Sequence, residues 1–429
     1  MGVLIFFGLF VFIGVLIFSG AIDLSKDKGN AGTTISAVTI WGTVPAKNLS
    51  TAINYINSQN PAMQIRYVEK DARNFESDLI NAYAFGGLPD LFFLSQDLIF
   101  SYADKIVNIP YTYFPERSYD DTYIRAANIF KTSIGFLGFP ILNDPLVMYY
   151  NRDILENAGF ANPPKYWSDL FEYVPKLTVR NDAQQITKAG VALGEFSNIK
   201  NAKGIFSALV LQLENPIVAR DAGGKYINLL NSPSTISSRP TAQSLKFFNE
   251  FSDPVRDVYS WNKTMKDSLE AFISGDLAIY FGFASELANI KAKNPNLSFD
   301  TAPLPQVKEL SNAITYSRIY ALAVPKTSPN AQIALSIGAD LANGLNTWML
   351  VAPSGMAPVR RDLLSKTEID KYQKVFYSAA LSARSWVDPD AGATDEILSQ
   401  MIEDVSSGLA SIDDSVKKAD TALKLLLLK

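Results

Sequence analysis

The sequence predicts an α/β fold built on an open, mostly parallel sheet. Three stretches carry this expectation. Residues 36–41 form a short apolar strand ending at Trp41-Gly42-Thr43. MQIRYV at 63–68 alternates apolar and polar residues. PDLFFLS at 89–95 is apolar without alternation, as in a strand covered on both faces. Between them, the spacing of Leu49, Ile53 and Ile56 predicts a helix over 46–58 that stops at Asn60-Pro61. Residues 74–85 predict a second helix, closed by Gly86-Gly87. Strand and helix alternating in this way specify parallel strands with crossover helices. Ligands of such sheets sit beyond the carboxyl ends of the strands, which puts Trp41, Thr43, Gln96 and Asp97 on one rim.

At 429 residues the chain exceeds one ordinary core, so two lobes are expected. Hydrophobic residues make up 48% and charged residues 19%, a globular balance. The net charge is −4 and no basic run occurs, which argues against a nucleic-acid surface. The chain contains no His and no Cys. A His-dependent triad, a thiol nucleophile, a disulfide and the usual nitrogen–sulfur zinc site are all excluded. No metal or cofactor is expected.

Residues 1–22, MGVLIFFGLFVFIGVLIFSGAI, carry no charge. Such a run is long enough to cross a bilayer and longer than most signal-peptide cores, so a single-pass anchor is the first expectation. A cleaved signal is the second, with Ser19-Gly20-Ala21 as the small-residue site. Phe18-Ser19-Gly20-Ala21 also resembles a lipoprotein signal box with Ala21 in place of the acylated cysteine. Lys26 and Lys28 follow the run, which by charge bias opposes an exported remainder. Residues 23–35 are small and polar and read as a linker.

FPILNDPLVMYYNRDILENAGFANPPKYWSDL at 139–170 comes next. Two extended runs flank Asn143-Asp144-Pro145, which reads as a turn. Asn151 is expected to cap a helix over 152–158 that ends at Gly159, and Ser168 to cap the next. Tyr149 and Tyr150, adjacent on a strand, must face opposite sides.

GFPILNDPLVMYYNRDILENAGFANPPKYWSDLFEYVPKLT resembles extracellular solute-binding proteins of the family-1 type, which serve carbohydrate importers of the ATP-binding-cassette kind. PDLFFLSQD, SLEAFISGDLAIYFGFASEL and the tail MIEDVSSGLASIDDSVKKADTAL are similar to further elements of that family. Phe283-Ala284-Ser285 stands where the family often carries Gly-Ser-Trp. The resemblance implies a two-lobed, type II periplasmic-binding-protein-like fold with its ligand between the lobes. The first lobe would take 36–142 and 276–315; the second, 143–275 and 316–429. It also implies a monomeric binder without catalysis, an importer permease as partner, and a small polar ligand, foremost a sugar.

Sugars present hydroxyls and flat C–H faces, which aromatic and hydrogen-bonding side chains meet. The candidates are Trp41, Thr43, Gln96, Asp97 and Phe283 from the first lobe. Asn143, Asp144, Tyr150, Trp261, Tyr316, Arg318, Trp348 and Trp386 come from the second lobe and the crossings. Each has a structural alternative: core packing for the tryptophans and turn formation for Asp144. Arg360-Arg361 reads as a solvated pair. Three rival readings remain: a glycoside-acting enzyme using Asp97 and Asp144, an iron binder using Tyr149-Tyr150, and a surface receptor of the same fold uncoupled from transport.

Overall fold

In the computed structural model, which describes residues 36–428 apart from 60–62, 222, 309, 311 and 366–368, the first three strands form the expected parallel ladder. β1 (Ser36–Gly42) lies between β2 (Met63–Glu69) and β3 (Leu91–Ser95). The crossover helices are α1 (Ala46–Gln59) and α2 (Phe75–Phe85). α1 buries Leu49, Ala52, Ile53 and Ile56, one face of a 3.6-residue repeat. α2 stops at Gly86, whose φ of 87° suits a residue without Cβ.

The Asn143-Asp144-Pro145 turn does not form. The chain runs through it as one 13-residue strand, β4 (Phe139–Asn151). The reason is a ladder: Ser317, Arg318 and Ile319 of β8 (Thr315–Ala323) stand opposite Pro145, Asp144 and Asn143. Paired backbone on a neighbouring strand outweighs a local turn preference.

β4 and β8 each belong to two places. The start of β4 pairs with β8 and with residues 357–358. Beyond Leu146 it pairs with β6 (Leu277–Phe283) and β7 (Phe299–Ala302). The second half of β8 pairs with β3. β9 (Ala383–Arg384) pairs with the first residues of β8. These three strands cross between the lobes in a sheet ordered β2-β1-β3-β8-β4-β6-β5, with β5 being Ile186–Val191.

Strand pairing corrects the expected lobes. Residues 277–302 hydrogen-bond to the far half of β4 and so join the second lobe, not the first. The second lobe also holds α3 (Ala202–Gln212), α7 (Ala391–Ser406) and α8 (Ile412–Leu426), which pack with the helix Pro240–Asn249. α4 (Ala331–Leu341) packs Gly338 against Phe139 and Leu91, and α5 (Gly344–Val351) packs on α1, so both belong to the first lobe. α6 (Lys371–Ser382) leads into β9.

Local capping follows the sequence in part. Asn151 accepts the Ile154 N–H at 3.0 Å. Ser168 does not cap its helix; Asp169 accepts the N–H groups of Lys165 and Tyr166, both at 3.0 Å. Among the described residues no helix is long and apolar enough to cross a membrane, and the run 1–22 lies outside them.

Candidate functional site

The crossings place a charge where few occur. Arg318 sits in β8 directly opposite Asp144. Its guanidinium lies 3.8 Å from the centroid of the Phe283 ring. Register partners on adjacent strands share a face, as do residues two apart. Tyr316, Arg318, Tyr320 and Asp144 therefore line one side of the sheet, and Asn143 and Ser317 the other.

Asp144 is 1% exposed. Its oxygens accept the Ser285 N–H at 2.9 Å and the Ser285 hydroxyl at 2.7 Å. Burial raises its pKa, while Arg318 and Ser285 oppose the rise. Glu286 is occupied in the same way: Tyr280 donates to it at 2.5 Å and Asn201 at 3.0 Å. Burial alone would lower the Arg318 pKa. Tyr320, Asp144, Tyr316 and Glu286 reverse this and hold the group charged. Both acids thus balance the charge of Arg318 while their hydrogen bonds go elsewhere, and the guanidinium itself makes no hydrogen bond within the described residues.

First-lobe groups meet this face from β3. Gln96 accepts the Ile319 N–H at 3.1 Å, and its carbonyl accepts the Asp388 N–H at 3.2 Å. It is a strut between a rim and two crossings. Asp97 follows it, with Oδ1 buried and unpartnered. Burial raises the Tyr320 pKa, with Asp144 and Asp97 adding to the effect and Arg318 opposing it. Burial also raises Tyr316, with Asp388 and Asp97 adding and Arg318 opposing.

The second lobe contributes the start of α3. Lys203 pairs with Asp388 at 2.5 Å and donates to Thr394 at 2.6 Å. Its ammonium lies 5.8 Å from the Trp386 ring centroid. Trp386, 2% exposed, donates to Ser207 at 3.1 Å. A Cβ at Gly204 would stand 3.1 Å from the Phe283 ring and 3.3 Å from the Tyr316 ring, so glycine lets α3 reach the crossing aromatics.

The structure gathers Gln96, Asp97, Asp144, Phe283, Tyr316, Arg318 and Trp386 around the crossings. Other expectations are corrected. Trp261 is fully buried in the second lobe, donating to Asn198 at 3.0 Å and tied by its backbone to Phe251. It is core, because its flanking polar residues serve turns while the ring packs inward. Asn143 faces away from Arg318, because neighbours on a strand alternate. Tyr150 lies at the far end of β4 opposite Asp300, about 20 Å along the strand from Asp144. Trp348 packs edge-on against Tyr377, on the helix that covers α1. Trp41 stays on the first-lobe rim beneath the Lys70 ammonium, 3.8 Å from the ring centroid, with Thr43 half-buried beside it. Tyr149, the other half of the tyrosine pair, is core and donates to the Phe283 carbonyl at 2.8 Å, so the two hydroxyls do not converge. Both oxygens of Asp144 accept from Ser285.

Sequence reasoning missed Lys203, Asp388 and Ser285. Asp388 carried a signal, since it lies in the Trp386-Val-Asp-Pro segment already singled out for its tryptophan.

The model of the bacterial extracellular solute-binding protein family matches residues 52–337. The chain belongs to that family. This solute-binding protein is 42% identical over 50 residues to the sn-glycerol-3-phosphate-binding periplasmic protein UgpB of Agrobacterium fabrum, a match covering 11% of the chain and 12% of that relative. Its fold is similar to that of the GacH receptor of Streptomyces glaucescens, solved unliganded and with acarbose: TM-score 0.69, 16% identity, covering 92% of this chain and 99% of that one. It is also similar to the cyclic α-maltosyl-1,6-maltose binding protein of Arthrobacter globiformis: TM-score 0.72, 18% identity, covering 91% and 98%. The two-lobed fold is thus shared with these solute-binding proteins.

Two measurements check the assignments of Trp261 and Gly204. Trp261→Ala should lower unliganded stability by about 3–5 kcal/mol in denaturant titration, the cost of emptying a core site; a loss under about 1 kcal/mol would return it to the ligand surface. Gly204→Val should also destabilise, by about 1–3 kcal/mol, because its branches meet two packed rings.

Proposed function

We propose that this solute-binding protein captures a sugar between its lobes outside the cytoplasm and delivers it to an ATP-binding-cassette importer. The observation that carries this is Arg318: a half-buried, charge-balanced guanidinium whose donors bond nothing among the described residues. Its donors are free to meet a ligand hydroxyl, and a hydrogen bond to a charged group contributes about 1.5–3 kcal/mol. Asp97 offers an unpartnered acceptor from the other lobe. Tyr316 and Trp386 supply ring faces, at 5% and 2% exposure, so entry requires the lobes to separate.

Contacts from both lobes stabilise the closed state, and the three crossing strands absorb the rotation. Because two nearby acids already balance Arg318, the part of the ligand that meets it is neutral, as a sugar hydroxyl is. The uncharged run 1–22 fits a tether that keeps the receptor near its permease. The sugar ligands named for similar structures, maltotetraose, mannobiose and tagatose, define the panel to try.

One of these sugars should raise the melting temperature of the full-length chain, equivalent to about 2.7 kcal/mol at a hundredfold excess over Kd. Arg318→Gln should weaken that sugar at least about tenfold, the scale of a charged hydrogen bond, and Asp97→Asn should also weaken it. A shift that persists unchanged in Arg318→Gln would sink the reading, as would a panel without any shift. Release of reducing ends from an oligosaccharide would instead favour an enzyme.

A further inference from the structure

Three arginines lie on adjoining segments where the first lobe meets the third crossing. Tyr123 bridges Arg360 in antiparallel fashion, and its carbonyl accepts the Arg361 Nε–H at 2.9 Å. The Ile124 N–H donates to Val359 at 2.9 Å. Arg125, the next residue, opens a 3-10 helix (Arg125–Phe130) that packs against both β8 and β9. Arg384 ends β9 and donates backwards to the Ala383 carbonyl at 2.8 Å.

These groups have no acid to balance them. Asp362 pairs with Arg360 at 3.0 Å, and Glu116 and Asp120 pair with Lys131 at 2.6 and 3.0 Å. Among the described residues none of Arg125, Arg361 and Arg384 forms an ion pair, whereas the chain as a whole carries net charge −4. Burial first, and then repulsion from Arg125 and Arg361, brings the Arg384 pKa down to about 10. Two of the three side chains are nevertheless fixed by backbone carbonyls. Arg125 and Arg361 are exposed and Arg384 is half-buried, so an anion can reach all three, and unpaired guanidinium groups on adjoining segments attract one.

We propose that Arg125, Arg361 and Arg384 form a phosphate-binding site at the edge of the crossing. Planar guanidinium forks match the oxygen spacing of a phosphate, and a dianion offsets most of three positive charges. Arg384 stands opposite Tyr316, on the face that carries Arg318 two residues on. Strand spacing puts the two arginine backbones about 8 Å apart. The phosphate is therefore either a free ion or a substituent of a molecule held in the cleft. The site does not depend on the sugar reading, because inorganic phosphate alone should occupy it.

The test is a melting and calorimetric titration of the full-length chain at fixed ionic strength. The probes are inorganic phosphate, glucose 6-phosphate and glucose. Phosphate should raise the melting temperature where chloride of equal ionic strength does not. Arg125→Gln, at an exposed side chain without hydrogen bonds to the fold, should weaken phosphate about tenfold and leave the unliganded melting temperature unchanged. Arg384→Gln should weaken it similarly. Glucose 6-phosphate binding more tightly than phosphate, with Arg125→Gln reducing both, assigns the site to a substituent of a larger ligand. Equal affinities assign it to the free ion. No phosphate-dependent shift, or one that Arg125→Gln leaves intact, overturns the proposal.

Discussion

The account depends on one half-buried cation, Arg318. Moving a guanidinium out of water is expensive, and a hydrogen-bonded partner normally makes it tolerable. Arg318 has its charge balanced by Asp144 and Glu286 and its flat face covered by Phe283, yet those acids spend their hydrogen bonds on Ser285, Tyr280 and Asn201. The fold therefore stabilises the charge without satisfying the donors. That combination requires groups from β4, β6 and β8 to be held together, and the ladder that straightens Asn143-Asp144-Pro145 is what holds them.

The crossings also explain why the lobes communicate. Gln96 links the end of a first-lobe strand to β8 and to Asp388, and Asp388 links onward to Lys203 on the second lobe. A change in the angle between lobes must move these polar links together with Tyr316 and Trp386. A ligand bridging Asp97 and Arg318 would lock them. Coupling of this kind needs no long pathway, because the hinge and the candidate site share residues.

Much of the first lobe was legible in the sequence, since α1, β2, α2 and β3 are local patterns with apolar periodicity and clear ends. The Asn-Asp-Pro turn was misread because its correct state depends on β8, more than 170 residues away in register. For the same reason residues 277–302 were given to the wrong lobe: only their pairing with β4 decides it. Asp144 and Arg318 could be found, as polar residues set in apolar strands. Ser285 and Lys203 could not be ranked, because their importance comes from partners 141 and 185 positions distant. Trp261 shows the converse: residue type and polar neighbours suggested a ligand surface, and the packing of one side chain reversed it.

The most direct test is the distance between the lobes. The chain has no cysteine, so Phe85→Cys and Leu409→Cys, at residues 88% and 80% exposed on the first and second lobes, give two unique positions for spin labels. The distance distribution would be recorded with and without the sugar from the panel that most raises the melting temperature. The account predicts a broad unliganded distribution that shifts and narrows on saturation. A distribution that does not change while the sugar is bound would contradict closure about the crossing strands.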